Sequence, residues 1–206
     1  YGYGQPTGIV GGAFQNCAKL KTVTFEEGTT EIAEALFAGC TGIKQIKIPD
    51  TVTVIESWAF GGCINLTEIE IPDSVTKIER AAFGYCSSLK EIELSENLES
   101  MGAYAFQNCN VLKNIVIPDS VTNIGSDAIS RTAWYNNQLD GVVYAGKVVY
   151  KYKGIMPEGT AITIPDGITS IVSSAFENCS SLTKITIPDS VNYIGEAVFY
   201  GCSKLT

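Results

Sequence analysis

Apolar positions along this chain follow two short rhythms that alternate. In "LKEIEL" (Leu89 to Leu94) apolar residues stand at 89, 92 and 94, and the last two alternate with polar neighbours. That is the period of a half-buried strand. Elsewhere the same phrase runs into "IPD", as at Ile71–Asp73, which ends the strand: proline lacks the N–H that a ladder needs, and aspartate favours a turn. "SVTKI" then supplies two more inward residues, Val75 and Ile78, in a short extended arm. "AAFGYC" predicts a compact turn, 3₁₀ or a single helical turn, with Phe83 and Cys86 pointing inward.

The phrase repeats. Phenylalanine falls at Phe14, Phe37, Phe60, Phe83 and Phe106, 23 residues apart; Ile129 takes the next place, and after 47 residues the beat resumes at Phe176 and Phe199. Cysteine keeps the same phase at Cys17, Cys40, Cys63, Cys86, Cys109, then Thr132, then Cys179 and Cys202, which accounts for all seven cysteines. A unit this short cannot bury its apolar side alone, so copies must stack. Successive strands then lie parallel, about 4.8 Å apart, with side-chain ladders inside the coil.

The pattern L-x-x-I-x-I-P-x-x-V-x-x-I-x-x-x-A-F-x-x-C, carried by "LTEIEIPDSVTKIERAAFGYC" and "LTKITIPDSVNYIGEAVFYGC", resembles the BspA-like leucine-rich repeats from about Gly8 to Leu205. The resemblance implies a β-rich, right-handed leucine-rich-repeat solenoid with a parallel sheet on its concave face. It implies a bacterial cell-surface or secreted protein that works in adhesion to host proteins or other cells, with no catalytic motif. On this reading residues 1–206 form a single domain of about eight repeat positions, with an irregular hairpin unit at about 130–160. "TGIVGGAF" opens in mid-phase and "CSKLT" stops where a strand would begin, so the expectation is a fragment of a longer array.

Strand-forming residues around "AG" predict a hairpin of Val142–Tyr144 and Lys147–Tyr152 in the long gap. The same unit has lost its phenylalanine and cysteine, and Trp134 is expected to fill the space. Trp134, Tyr144, Tyr150 and Tyr152 are either an aromatic contact surface, since such residues are favoured at binding hot spots, or large side chains plugging a divergent unit.

Charge and composition narrow the chemistry. The net charge of −8 argues against nucleic acid, whose phosphates demand a basic surface. No apolar run approaches the roughly 20 residues that span a bilayer, and "YGYGQPTGIVGGAF" shows no signal peptide. The absence of histidine removes the commonest general base and metal ligand, and no C-x-x-C pair exists for zinc. The cysteines are expected to be free and buried, because side chains on stacked rungs point alongside one another and an odd count leaves one over. "NLT" at Asn65 and "NCS" at Asn178 fall inside the repeat, where Asn and Ser serve as turn residues.

The outward positions of the strand face are Thr22 and Thr24, Gln45 and Lys47, Glu68 and Glu70, Glu91 and Glu93, Asn114 and Val116, Ala161 and Thr163, Lys184 and Thr186. Four glutamates on two adjacent rungs repel one another, which a basic partner or a hard cation would relieve. The bland alternative is a solvated acidic patch balanced by Lys90 and Lys113. The expected function is a non-catalytic module that binds a protein or glycan, host extracellular matrix included, through Glu68, Glu70, Glu91, Glu93 and the aromatic insertion, with no cofactor. A passive spacer in a larger surface protein is the alternative. A monomer is expected, with end-to-end association through terminal rungs left open.

Overall fold

The computed structural model describes residues 11–206 apart from Glu27; the Thr7–Val10 start of the first unit lies outside the described residues. The chain is a β-solenoid of stacked rungs whose strands form separate trough and arm sheets, four sheets in all among the described residues.

The trough sheet is made by the "EIE" segments. Glu68–Glu70, Glu91–Glu93 and Asn114–Ile115 pair in parallel, each central isoleucine facing the core. After an interruption, Thr160–Thr163 pairs with Leu182–Thr186. The first two rungs, around Val23 and Ile46, carry no regular strand here, so the ladder is shorter than the repeat pattern predicts.

The arms form a sheet of their own. Glu31–Ile32, Val54–Ile55, Lys77–Ile78, Ser100–Met101 and Asn123–Ile124 pair in parallel, two residues per rung. The second arm sheet joins Tyr193–Ile194, Ser170–Ile171, Val148–Lys153 and Gly141–Ala145 in that order. Its last pairing is antiparallel and is the expected hairpin.

The turns correct one expectation. They are neither 3₁₀ nor helical: residues two before and two after Phe37, Phe60, Phe83, Phe106, Phe176 and Phe199 adopt left-handed backbone, as at Ala81 (φ 52°) and Tyr85 (φ 64°). The hydrogen bonds show why. N–H groups of Ala81, Phe83 and Tyr85 leave the turn to reach carbonyls of Ala103, Ala105 and Gln107 on the next rung. Those of Ala82, Gly84 and Cys86 fold back onto Glu79, Ala81 and Phe83. Alternating hand lets every second donor tie rung to rung, which a single-handed helix cannot do. This satisfies buried donors that would otherwise be orphaned.

The core is a set of ladders. Phe14, Phe37, Phe60, Phe83 and Phe106 stack face to face at 5.3–5.8 Å, and Phe176 and Phe199 at 5.7 Å. Burying each inner ring stabilises by about 1.5–3 kcal/mol. The cysteines of described rungs are free thiols; Cys40, Cys63, Cys86 and Cys109 are buried, Cys17 is exposed and Cys179 and Cys202 are half-buried. Each of Cys63, Cys86 and Cys109 donates its S–H to the phenylalanine carbonyl of the preceding rung at 3.1–3.2 Å. Cysteine here is a small hydrophobe that also serves as an inter-rung donor.

Candidate functional site

The trough face places its charges by strand parity. Ile69, Ile92 and Ile115 are buried, so Glu68, Glu70, Glu91, Glu93 and Asn114 stand outward. Register sets Glu68 beside Glu91 and Glu70 beside Glu93. At a strand spacing of about 4.8 Å such like-charged neighbours cost some tenths of a kcal/mol. The Gln45 side-chain amide donates to Glu68, the one side-chain hydrogen bond the quartet makes among the described residues. Among the described residues none of the four joins an ion pair, so Lys90 and Lys113 do not neutralise them directly. Nor do they converge: among the described residues no cluster of three or more acidic or cysteine side chains is placed to hold a metal ion.

An open trough of about 1080 Å³ runs along this face, and its lining is polarised. Lys21, Lys44 and Lys47 line one end, Glu68, Glu70, Glu91, Glu93 and Glu96 the middle, Asn114 and Val116 the far end. The sequence pattern gave the outward residues, whereas Lys21, Lys44 and Glu96 join the trough only because flanking turns fold beside it.

The hairpin divides the aromatic set. Tyr150 is 2% exposed, so it is removed from the contact surface expected of it. Its hydroxyl accepts the Ile129 N–H at 3.2 Å, patching the rung that lost its phenylalanine. Tyr150 is thus buried beside the divergent unit, and Trp134 packs half-buried against the same core. Burial pushes its phenol well above the usual range.

Trp134 sits half-buried in a short helix, Ala133–Asn136, capped by the Thr132 hydroxyl, which accepts from the Tyr135 N–H. Its own N–H reaches the Leu112 carbonyl at 2.7 Å, so this helix stands where the next trough strand would be. Tyr144 and Tyr152 are half-buried on one face of the hairpin, paired across strands with Val149 and Val142. Among the described residues no ring contact joins either of them to Trp134. The hairpin is pinned by Lys147–Asp119 at 2.9 Å and Lys151–Asp127 at 3.2 Å. Beside it lies a slot of about 220 Å³ lined by Asp127, Lys151, Glu177 and three serines, Ser126, Ser173 and Ser174. Its ion pair is already formed within the protein.

One group was not visible in the repeat. Trp58, Tyr85 and Tyr104 occupy left-handed turn positions on three consecutive rungs, at φ 61°, 64° and 63°. Trp58 and Tyr85 stack at 6.4 Å and 13°, and the Arg80 guanidinium lies 5.2 Å from the Tyr104 ring centre. Aligning the rungs by their phenylalanines puts Trp58 and Tyr104 in the column two before and Tyr85 in the column two after; nothing in the local pattern marks their backbone hand.

The family described as BspA type leucine rich repeat region matches this chain in six copies, over residues 7–135 and 154–206. The chain belongs to the BspA-type leucine-rich repeat family. The unmatched segment between the two matched ranges contains both strands of the hairpin, the part that departs from the repeat. The crystal structure of a T. pallidum leucine-rich repeat protein is similar at 28% identity and a TM-score of 0.55, over 86% of this chain and 72% of that one. A Bacteroides ovatus leucine-rich repeat protein shares the fold at 24% identity and a TM-score of 0.50, over 94% of this chain and 61% of that one. No curated protein matches the chain in sequence. As a BspA-type repeat array it is of a class that is generally non-catalytic and serves protein interaction. Among the described residues no helix is long and apolar enough to cross a membrane.

Proposed function

We propose that this BspA-type array is a non-catalytic adhesion module, exposed at a bacterial surface or secreted, that grips a protein partner along its trough. The observation that carries this reading is the register of Glu68, Glu70, Glu91 and Glu93: four exposed carboxylates, in adjacent pairs, without ion-pair partners among the described residues. A basic stretch of a partner lowers that repulsion on binding, so the patch gains more from association than a neutral surface would. The lysines at one end of the trough favour an acidic stretch of the same partner beside Lys21, Lys44 and Lys47. Trp134, Tyr144 and Tyr152, each half-buried, are a secondary contact area. The family's association with adhesion supports host extracellular-matrix proteins as the partner class, with glycans as the competing class.

The test is a binding screen of the purified chain against matrix proteins and glycans, beside the variant carrying Glu68→Gln, Glu70→Gln, Glu91→Gln and Glu93→Gln. Saturable binding to a matrix protein that weakens at least about tenfold in the variant, and that falls with added salt, is expected. Binding of equal strength in the variant moves the site off the trough. A folded protein that binds nothing leaves the passive spacer as the better account.

A further inference from the structure

Left-handed backbone is sterically unfavourable for any residue with a Cβ and most unusual for a bulky one. In this solenoid the left-handed position two residues after each phenylalanine is Asn16, Gly39, Gly62, Asn108 or Gly201 in other rungs, the types that tolerate it. Position two before the phenylalanine is Ala35, Ala81, Ser174 or Ala197 in other rungs. Against that background Trp58, Tyr85 and Tyr104 put three aromatic rings into strained positions on neighbouring rungs. The chain also makes room for them: a Cβ at Gly61 would come within 2.5 Å of the Trp58 ring. Strained residues that the surrounding structure holds in place cluster where a protein does something with them.

Two observations say what such a ridge would hold. Arg80 already rests on the Tyr104 ring at 5.2 Å, so an aromatic of this ridge accepts a cation in the folded protein. Carboxylates crowd the same turns: Glu56 and Glu79 stand at equivalent places on neighbouring rungs, with Glu34 on the rung before. Burial, then the charges of Glu79, Glu31 and Glu34, hold the Glu56 carboxyl above its ordinary range.

We propose that the Trp58–Tyr85–Tyr104 ridge on the turn edge is a second contact surface, one that takes arginine or lysine side chains of a protein partner. The cation lies against the Trp58 and Tyr85 rings and the Glu56 and Glu79 carboxylates balance its charge. This surface sits on the turns between arm and trough strands, and none of its three aromatics lines the trough.

The experiment uses the Trp58 indole as its own reporter. The full chain carries Trp134→Phe, so that Trp58 is its only tryptophan and is excited beyond the tyrosine absorption, and the four trough glutamates changed to glutamine, so that the trough does not contribute. It is titrated with a hexa-arginine peptide and, separately, with cellohexaose. A saturable change in Trp58 fluorescence with the peptide and none with the sugar is expected. Adding Trp58→Asn and Tyr85→Asn, and following peptide binding by calorimetry, should weaken it about tenfold or more. Because asparagine tolerates left-handed backbone, that variant should melt no lower than its parent. No fluorescence response to the peptide overturns the proposal, as does a response to the sugar alone. A marked drop in Tm on Trp58→Asn and Tyr85→Asn, with peptide binding unchanged, assigns the rings to packing and overturns it equally. Since the trough glutamates are absent throughout, failure here leaves the trough reading untouched.

Discussion

A buried cysteine in this coil is held by the carbonyl it points to. Cys86 donates to Phe60 of the rung before at 3.2 Å, while its neighbours Cys63 and Cys109 repeat the contact one rung away. Burial pushes the thiols of Cys63 and Cys109 up to about 12 and that of Cys86 well above its ordinary value. The thiolate, the reactive form, is therefore scarce in the folded protein at mild pH. Treatment with iodoacetamide at pH 8 should label Cys17 rapidly and leave Cys63, Cys86 and Cys109 unmodified until urea unfolds the chain; mass spectrometry of the alkylated peptides checks it. Rapid labelling of Cys86 in the native state would show that the ladder opens. The linkage sign is that of an acid with a raised folded value: stability is lost as pH rises above about 9, where the unfolded thiol ionises and the folded one does not. The phase of the cysteines made their burial legible in the sequence. The left-handed hand of Trp58 was not legible, because local propensity assigns that region to glycine and asparagine. Only the inter-rung bond from the Trp58 N–H to the Arg80 carbonyl, at 2.9 Å, dictates it.

At the scale of elements, the hairpin replaces what the repeat would have supplied. A regular turn sends three N–H groups to the next rung, as Ala81, Phe83 and Tyr85 do. At the divergent rung the Tyr150 hydroxyl takes the Ile129 N–H, and the Tyr152 N–H reaches the Ala175 carbonyl at 2.8 Å. Tyr150→Phe keeps the ring and deletes the acceptor. It should cost about 1–3 kcal/mol, the usual penalty for leaving a buried donor unpaired, measured by urea unfolding. A loss below a few tenths of a kcal/mol would mean that water reaches Ile129. The strand pair itself was visible from its "AG" turn and flanking valines and tyrosines. Which tyrosine would be buried was not, since alternation assigns faces but cannot say which face meets the preceding rung. The turns illustrate the same limit: "AAFGYC" reads as a helical turn to any local rule, and alternating hand wins because it satisfies donors on the neighbouring rung.

For the whole molecule, the consequence of the hairpin is a break in both ladders at one place. The trough sheet stops at Asn114–Ile115 and resumes at Thr160–Thr163; the first arm sheet stops at Asn123–Ile124 and the next begins with the hairpin. In a solenoid stability is close to a sum of units and neighbour interfaces, so a weakened interface divides cooperativity. Native-state hydrogen exchange should show amides of 160–206 opening together, at lower free energy than those of 32–124. One common opening energy across the chain would show that the hairpin couples its two sides fully. The sequence by itself determined the solenoid, its period, the inward residues and the outward glutamates, because each depends on positions repeated in every rung. Tertiary structure alone decided the left-handed turns, the burial of Tyr150, the second sheet formed by the arms and the polarised lining of the trough. Those depend on what the next rung offers, and a partner 21 or more residues away leaves no mark in local periodicity.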